Sequence, residues 1–319
     1  MRSLALLALC CQPAVAAPLD ACLHTKQIAT GTLCVITPSK TDAKIQDTDP
    51  SNKGFGDHVV GIPTNLTKGL WVHMPGTGGK PYLPNPDRYL DEVWISEIMK
   101  QGYFVLDIGY SNTDAINDTC STDAGKATNN CAGAARLEVL TGIDASTNRE
   151  VNVANSVRHR VAALLDYLHD NGFTLPNGSY PFKEWAPISV SGHSQGGGHA
   201  YYLAKYSGVK FACFLGSPYD VADNVPTPRP ARESIADWYL DTSKNETPVN
   251  KMGAFVTTAD NAYNSFVKTY ELIGLEKGVE WFEADKRRYT DETGKVVNGH
   301  AASVQDPSLA SLRAKACFR

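Results

Sequence analysis

The sequence predicts an α/β protein: a mostly parallel, open, twisted sheet with helices on both faces and antiparallel strands at its N-terminal edge. Three observations carry this expectation. Short runs of β-branched and aromatic residues alternate with segments whose apolar residues recur at helical spacing. The run at Tyr103 is almost continuously apolar, as a strand covered on both faces must be. The opening runs are separated by polar and Pro/Gly segments, which reads as antiparallel strands.

Taken in order, "GTLCVIT", "DHVVGIPTN" and "GLWVHM" supply those three opening strands. In "DRYLDEVWISEIMKQG", Leu90, Val93, Trp94 and Ile98 share one helical face, and Gly102 is placed to cap a helix ending at Gln101. "YFVLDIGY" follows as a buried strand. Residues 111–147 are polar, bracketed by Cys120 and Cys131, and too long for an ordinary connection, so they read as a pinned excursion with a short helix at 134–140. Helical spacing resumes through Val153, Val157, Val161, Leu164 and Leu168 and closes at Asn171-Gly172. Four strand-like runs remain, "APISVSG", "FACFLGS", "MGAFVTT" and "VEWFEAD", with helical patterns at 197–206 and 261–275 between them. Strands alternating with helices imply parallel pairing through right-handed crossovers, and sites in such sheets lie at the carboxyl ends of strands.

A length of 319 residues with 42% hydrophobic content suits one enzyme-sized body. Lys plus Arg number 30 against 34 Asp plus Glu, with no basic block to follow a phosphate backbone, which argues against a nucleic-acid partner. The start, "MRSLALLALCCQPAVAAP", has the layout of a secretory signal peptide cleaved after Ala16, so residues 1–16 are expected to leave and 17–319 to form a single domain outside the cytoplasm, secreted or periplasmic. The apolar run is too short to span a bilayer, which takes ~20 residues. Of eight cysteines, two go with the signal and six stay. Proximity pairs Cys22 with Cys34 and Cys120 with Cys131; Cys213 is left either to bond Cys317 or to remain a buried thiol. No Cys/His cluster asks for a metal, and no cofactor is expected. Sequons begin at Asn65, Asn117, Asn177 and Asn245.

The stretch "ISVSGHSQGGG" places Ser194 between Gly192 and Gly196, where a strand gives way to a helix. A nucleophile at the tip of so sharp a turn needs minimal bulk two residues before and after it, because those positions are forced together. On this motif and the element order from residue 69 onward, the chain resembles the α/β-hydrolase superfamily of esterases and lipases. The resemblance implies a nucleophile, an acid and a histidine in that order.

Under that order, Ser194 is the nucleophile and His300, in the polar loop "TGKVVNGHAAS" beyond the last strand-like run, is the base. Asp260, directly after "GAFVTT", is the first choice for the acid; Asp220 and Asp223, after the preceding strand, are the alternatives. His193 and His199 read as structural, and His73 as a hydrogen-bonding group at a strand end. An oxyanion needs backbone donors preset around it. Gln195 N–H at the helix start is one, and the resemblance puts the other in "HMPGTGGKP", at Thr77, with Gly76 and Gly78 as alternatives. Met74-Pro75 stand here between His73 and Gly76, a departure from the usual His-Gly opening. These residues imply hydrolysis of a carboxylic ester, small or polymeric, through an acyl-enzyme. A peptidase, a lipase and a non-catalytic secreted binding protein of the same fold are the rival readings. Residues 219–249 lie where the superfamily inserts a cap, and their lack of a long amphipathic helix argues against an interfacial lid.

Overall fold

The computed structural model describes residues 18–48, 54–221, 235–240, 242–285, 288–290 and 296–319. The expected signal segment and Asp223 lie outside the described residues. Among these residues nine strands form the main sheet: β1 (His24–Ile28), β2 (Gly31–Ile36), β3 (His58–Pro63), β4 (Gly69–Met74), β5 (Tyr103–Asp107), β6 (Ser189–His193), β7 (Phe211–Leu215), β8 (Met252–Thr257) and β9 (Trp281–Ala284). They lie in the order β1-β2-β3-β5-β4-β6-β7-β8-β9. Pairs from β1 through β3 to β5 are antiparallel, and all pairs from β5 to β9 are parallel.

Helices cover both faces, and strand alternation explains how. On β4, Leu70, Val72 and Met74 join one core and Trp71 joins the other. The first core is closed by α2 (Cys131–Thr141), α3 (Val157–Asp170), α4 (Gln195–Tyr206) and α5 (Tyr263–Ile273); the second by α1 (Glu92–Lys100), α6 (Gly299–Gln305) and α7 (Ala310–Cys317). Ser156 caps α3 by accepting from His159 N, and Gly102 ends α1 at a φ of 89°.

Several expectations are corrected. The run "GLWVHM" is not an antiparallel opening strand but β4, a parallel strand in the middle of the sheet, flanked by β5 and β6. Its helical neighbour begins only at Glu92, since Asp87–Tyr89 pairs with Tyr82–Pro84 in a hairpin. Val153 is not on α3: it belongs to a short 3-10 turn ahead of the Ser156 cap and is exposed. His300 is not in a loop. It is the second residue of α6, just after a hairpin of Arg288–Thr290 with Val296–Asn298.

Disulfides join Cys22 to Cys34, Cys120 to Cys131 and Cys213 to Cys317, so the alternative of a free thiol at Cys213 falls away. The last of these staples α7 to β7. No helix among the described residues is long and apolar enough to cross a membrane.

Candidate active site

Ser194 stands between β6 and α4 with φ 54° and ψ −120°, a backbone conformation that side-chain-bearing residues rarely adopt. The turn closes only because its neighbours are glycines. A Cβ on Gly192 would overlap the backbone of Gly196, and one on Gly196 would overlap the backbone of Met74 at the end of β4. Further along α4, a Cβ on Gly197 would run into Ser217 and one on Gly198 into the guanidinium of Arg136. The four glycines therefore let the turn that carries Ser194 sink between two strand ends and a buried cation.

His300 and Asp260 arrive from beyond the adjacent strands. Asp260 follows β8, is 7% exposed, and divides its carboxylate: Oδ1 accepts from Ala262 N at 2.9 Å, fixing the turn into α5, and Oδ2 lies 2.5 Å from His300 Nδ1. A carboxylate has no proton to give, so the imidazole N–H is the donor and Nε2 is left to accept. The backbone of α6 that carries His300 is held at several points. Asn298 caps it through Ala301 N at 3.0 Å, Thr257 Oγ1 donates to Gly299 O at 2.7 Å, and Ser303 Oγ donates to His300 O at 2.7 Å. Arg313 of α7, itself paired with Glu97 of α1, donates to Asp306 O at 2.8 Å just past the end of α6.

Asp220, an alternative acid, is turned elsewhere. Its two oxygens receive Arg136 Nη2 at 2.6 Å and Nε at 2.7 Å, and Trp238 Nε1 donates to it at 3.0 Å. Burial works against the charge on Arg136, but Asp220 more than offsets it and the Arg136 pKa is raised. Arg136 also donates to Gln195 O at 3.1 Å, which ties this pair to the first residue of α4.

The loop after β4 runs alongside Ser194. A Cβ on Gly76 would stand 3.1 Å from the Ser194 Cβ, so only glycine permits this approach without displacement. Asn112 clamps the loop: its Nδ2 donates to Gly76 O and Gly79 O, each at 2.8 Å, and its backbone O accepts from Gly78 N at 2.8 Å. The Gly78 N–H is thus committed inside the loop. Thr77 Oγ1 donates to Gln195 Oε1 at 3.3 Å, and the same oxygen accepts from Ile116 N at 2.9 Å.

The remaining histidines near the site are occupied by the core. Ser191 Oγ receives the indole N–H of Trp71 and of Trp94, which directs its own hydrogen to His73 Nδ1 at 2.9 Å; His73 Nε2 then faces Asp91 at 3.2 Å. His199 is fully buried against Tyr110, and burial followed by Arg136 and Arg149 holds its pKa well below the usual histidine range. His193 donates from Nε2 to His300 O at 3.1 Å, a link that the sequence did not disclose.

Ser194, Gln195, Thr77, Asp260 and His300 all line one cavity of about 330 Å³, with Ile116, Tyr219 and Phe266 as its apolar walls. It opens at the carboxyl ends of β4, β6, β7 and β8. Arg136 and Asn112, which hold this arrangement, were not anticipated from the sequence. Both come from beyond β5, in a polar stretch where no spacing marks one residue above another.

The sequence matches no family model and no curated protein. Among solved structures, the chain is similar to an S-formylglutathione hydrolase from Agrobacterium tumefaciens, with 14% identity over 82% of this chain and 88% of that one, at a TM-score of 0.42. It is similar also to a poly(aspartic acid) hydrolase-1 from Sphingomonas sp. KT-1, at 13% identity over 80% and 92% and a TM-score of 0.38. An acetyl xylan esterase from Aspergillus awamori aligns at 14% identity over 77% and 81%, with a TM-score of 0.37. By its sheet order, its two-faced helical cover and the strand-to-helix elbow at Ser194, the chain has the α/β-hydrolase fold.

Proposed function

We propose that the protein is a serine hydrolase that cleaves carboxylic esters. The observation that carries this reading is a strained serine at the elbow sharing one cavity with a histidine whose Nδ1 is held 2.5 Å from a buried aspartate. In the proposed reaction His300 Nε2 takes the Ser194 proton as Oγ bonds to the ester carbonyl carbon, and the carbonyl π electrons move onto oxygen. Asp260 keeps the imidazole in the tautomer that can accept and stabilises the imidazolium that results. The oxyanion is received by Gln195 N–H, at the N-terminus of α4, and by Thr77 N–H. Collapse of the intermediate expels the alcohol with the proton from His300, leaving an acyl-Ser194 that water attacks with the same base. The residues require no cofactor for these steps.

The three disulfides support an oxidising compartment, and with the signal-like start we infer a secreted or periplasmic protein of one domain. A cavity of about 330 Å³ is near the lower end of the ~300–1,000 Å³ usual for ligand pockets, which favours a compact acyl or alcohol group over a long lipid chain. Labelling with a fluorophosphonate tests the reading: stoichiometric labelling of the wild type and none of Ser194→Ala supports it. A wild type that resists the probe and hydrolyses no p-nitrophenyl ester of any chain length would return the fold to a binding role.

A further inference from the structure

His193 is the last residue of β6, one position before the nucleophile, and its ring reaches three parts of the site at once. Its Nε2–H donates to the backbone O of His300 at 3.1 Å, and the two imidazole rings lie 4.7 Å apart between centroids with their planes at 43°. On its other edge, Nδ1 lies 3.2 Å from where a Cβ on Gly76 would be, so the ring also borders the loop beside Ser194. Because a carbonyl oxygen can only accept, the proton sits on Nε2 and the neutral ring meets the contact as it stands.

We propose that His193 is a positioning residue: a neutral imidazole that anchors the backbone and ring of His300 against Ser194 and the oxyanion loop. The inference rests on the Ser194, His300 and Asp260 reading above. Burial, followed by His300, lowers the His193 pKa to about 4; among its other neighbours Asp91 pulls it up and His73 pushes it down. The neutral state matters because His300 becomes an imidazolium when it holds the serine proton. A second positive ring at 4.7 Å would oppose that proton transfer. The anchor also has a reason to be a side chain from the nucleophile's own strand, since strand-end and base then move as one body.

The experiment compares wild type, His193→Phe and His193→Gln, each normalised to active sites titrated with a fluorophosphonate. Phenylalanine keeps a flat ring and loses the donor; glutamine carries an amide N–H to about the place of Nε2. Displacement of a reacting group by about 1 Å costs ~100-fold in rate, so H193F is expected to lose ~10- to 100-fold in kcat, with KM within about two-fold of wild type. H193Q is expected to recover most of that loss. Equal kcat in wild type and H193F overturns the positioning role, as does a loss in H193F that H193Q shares in full at unchanged thermal stability. A wild type with no ester turnover overturns the functional reading itself and this inference with it. Should H193F fail to fold, H193Q and His193→Asn, whose shorter amide cannot reach the His300 carbonyl, keep the comparison: similar kcat in those two overturns the proposal.

Discussion

Arg136 and Asp220 meet as a two-pronged ion pair, with Nε and Nη2 each within 2.7 Å of a carboxylate oxygen, and the pair lies under the first turn of α4, the helix that follows Ser194. Both members are at most 2% exposed. The two aspartates that follow neighbouring strands thus have different partners: Asp220 supports the start of α4 through Arg136, and Asp260 faces His300.

Replacing them one at a time should therefore give different failures. Asp260→Asn leaves the fold intact and lowers kcat by ~1,000- to 10,000-fold, because the amide can favour the wrong imidazole tautomer. Asp220→Asn leaves a guanidinium buried without its counter-charge, which costs about 3–5 kcal/mol of stability. Thermal melting and kcat on the same samples distinguish them; a large kcat loss at unchanged melting for Asp220→Asn would contradict this division.

Gly196→Ala and Gly78→Ala form a contrast in backbone crowding. A Cβ at Gly196 overlaps the main chain of Met74, and neither partner can yield, so the variant should lose soluble folded protein or fall by more than the ~1–3 kcal/mol typical of overpacking. Nothing stands within 4 Å of a Cβ on Gly78, where the cost is only that of a φ of 67°. Denaturation midpoints should rank wild type, Gly78→Ala and Gly196→Ala in descending order.

Burial, with Asp91 nearby, raises the Asp107 pKa well above the carboxylate range. The folded state thus keeps a proton that the unfolded chain releases as pH rises through ~4. Its unfavourable contribution is absent below that pH and grows as pH rises toward the folded value. Asp107→Asn should accordingly raise the melting temperature relative to wild type at pH 7, with the advantage disappearing near pH 4. An advantage that is constant with pH would contradict the linkage.

Histidines act in the opposite window. His58 and His199 are fully buried, and burial holds both well below the usual value, so the unfolded chain takes up protons below pH ~6.5 that the fold refuses. Their contribution is complete above that pH and is lost as pH falls below it, by up to about 2 kcal/mol each at pH 5. Urea midpoints measured at pH 7 and pH 5 should fall less for His199→Leu than for wild type.

The Cys213–Cys317 bond spans 104 residues of chain and fastens α7 to the sheet. Cross-linking a loop of that length contributes ~4–5 kcal/mol in the chain-entropy account. The double alanine variant should melt well below wild type while its folded fraction still labels at Ser194 with a fluorophosphonate, since neither sulfur lines the cavity.

The strands β2 to β9 were legible because their runs are apolar at the right length, and the sharp turn at Ser194 because glycines bracket it. What stayed hidden depends on partners far away in sequence. Nothing in "GLWVHM" distinguishes a central parallel strand from an edge one: its neighbours, β5 and β6, are drawn from 103–107 and 189–193. Strand β1, "HTKQI", is half exposed and polar enough to pass as a loop, and the last helix, with Ser311, Arg313 and Lys315 interrupting its apolar residues, has no continuous stripe to announce it. His300 sits on a helix rather than in the expected loop for a local reason: Asn298, inside that polar stretch, caps α6. Asn112 and Arg136 are polar residues with polar duties, and only the fold tells which carbonyls and carboxylates they reach.

The side-chain oxygen of Gln195 binds Thr77 from the loop after β4 and Ile116 from the excursion, and so joins the floor of the cavity to two of its sides. On the proposed reading a substrate would meet walls already tied to one another, so discrimination should operate through exclusion of what does not fit, and binding heats should vary with temperature mainly as the buried apolar area of the guest dictates.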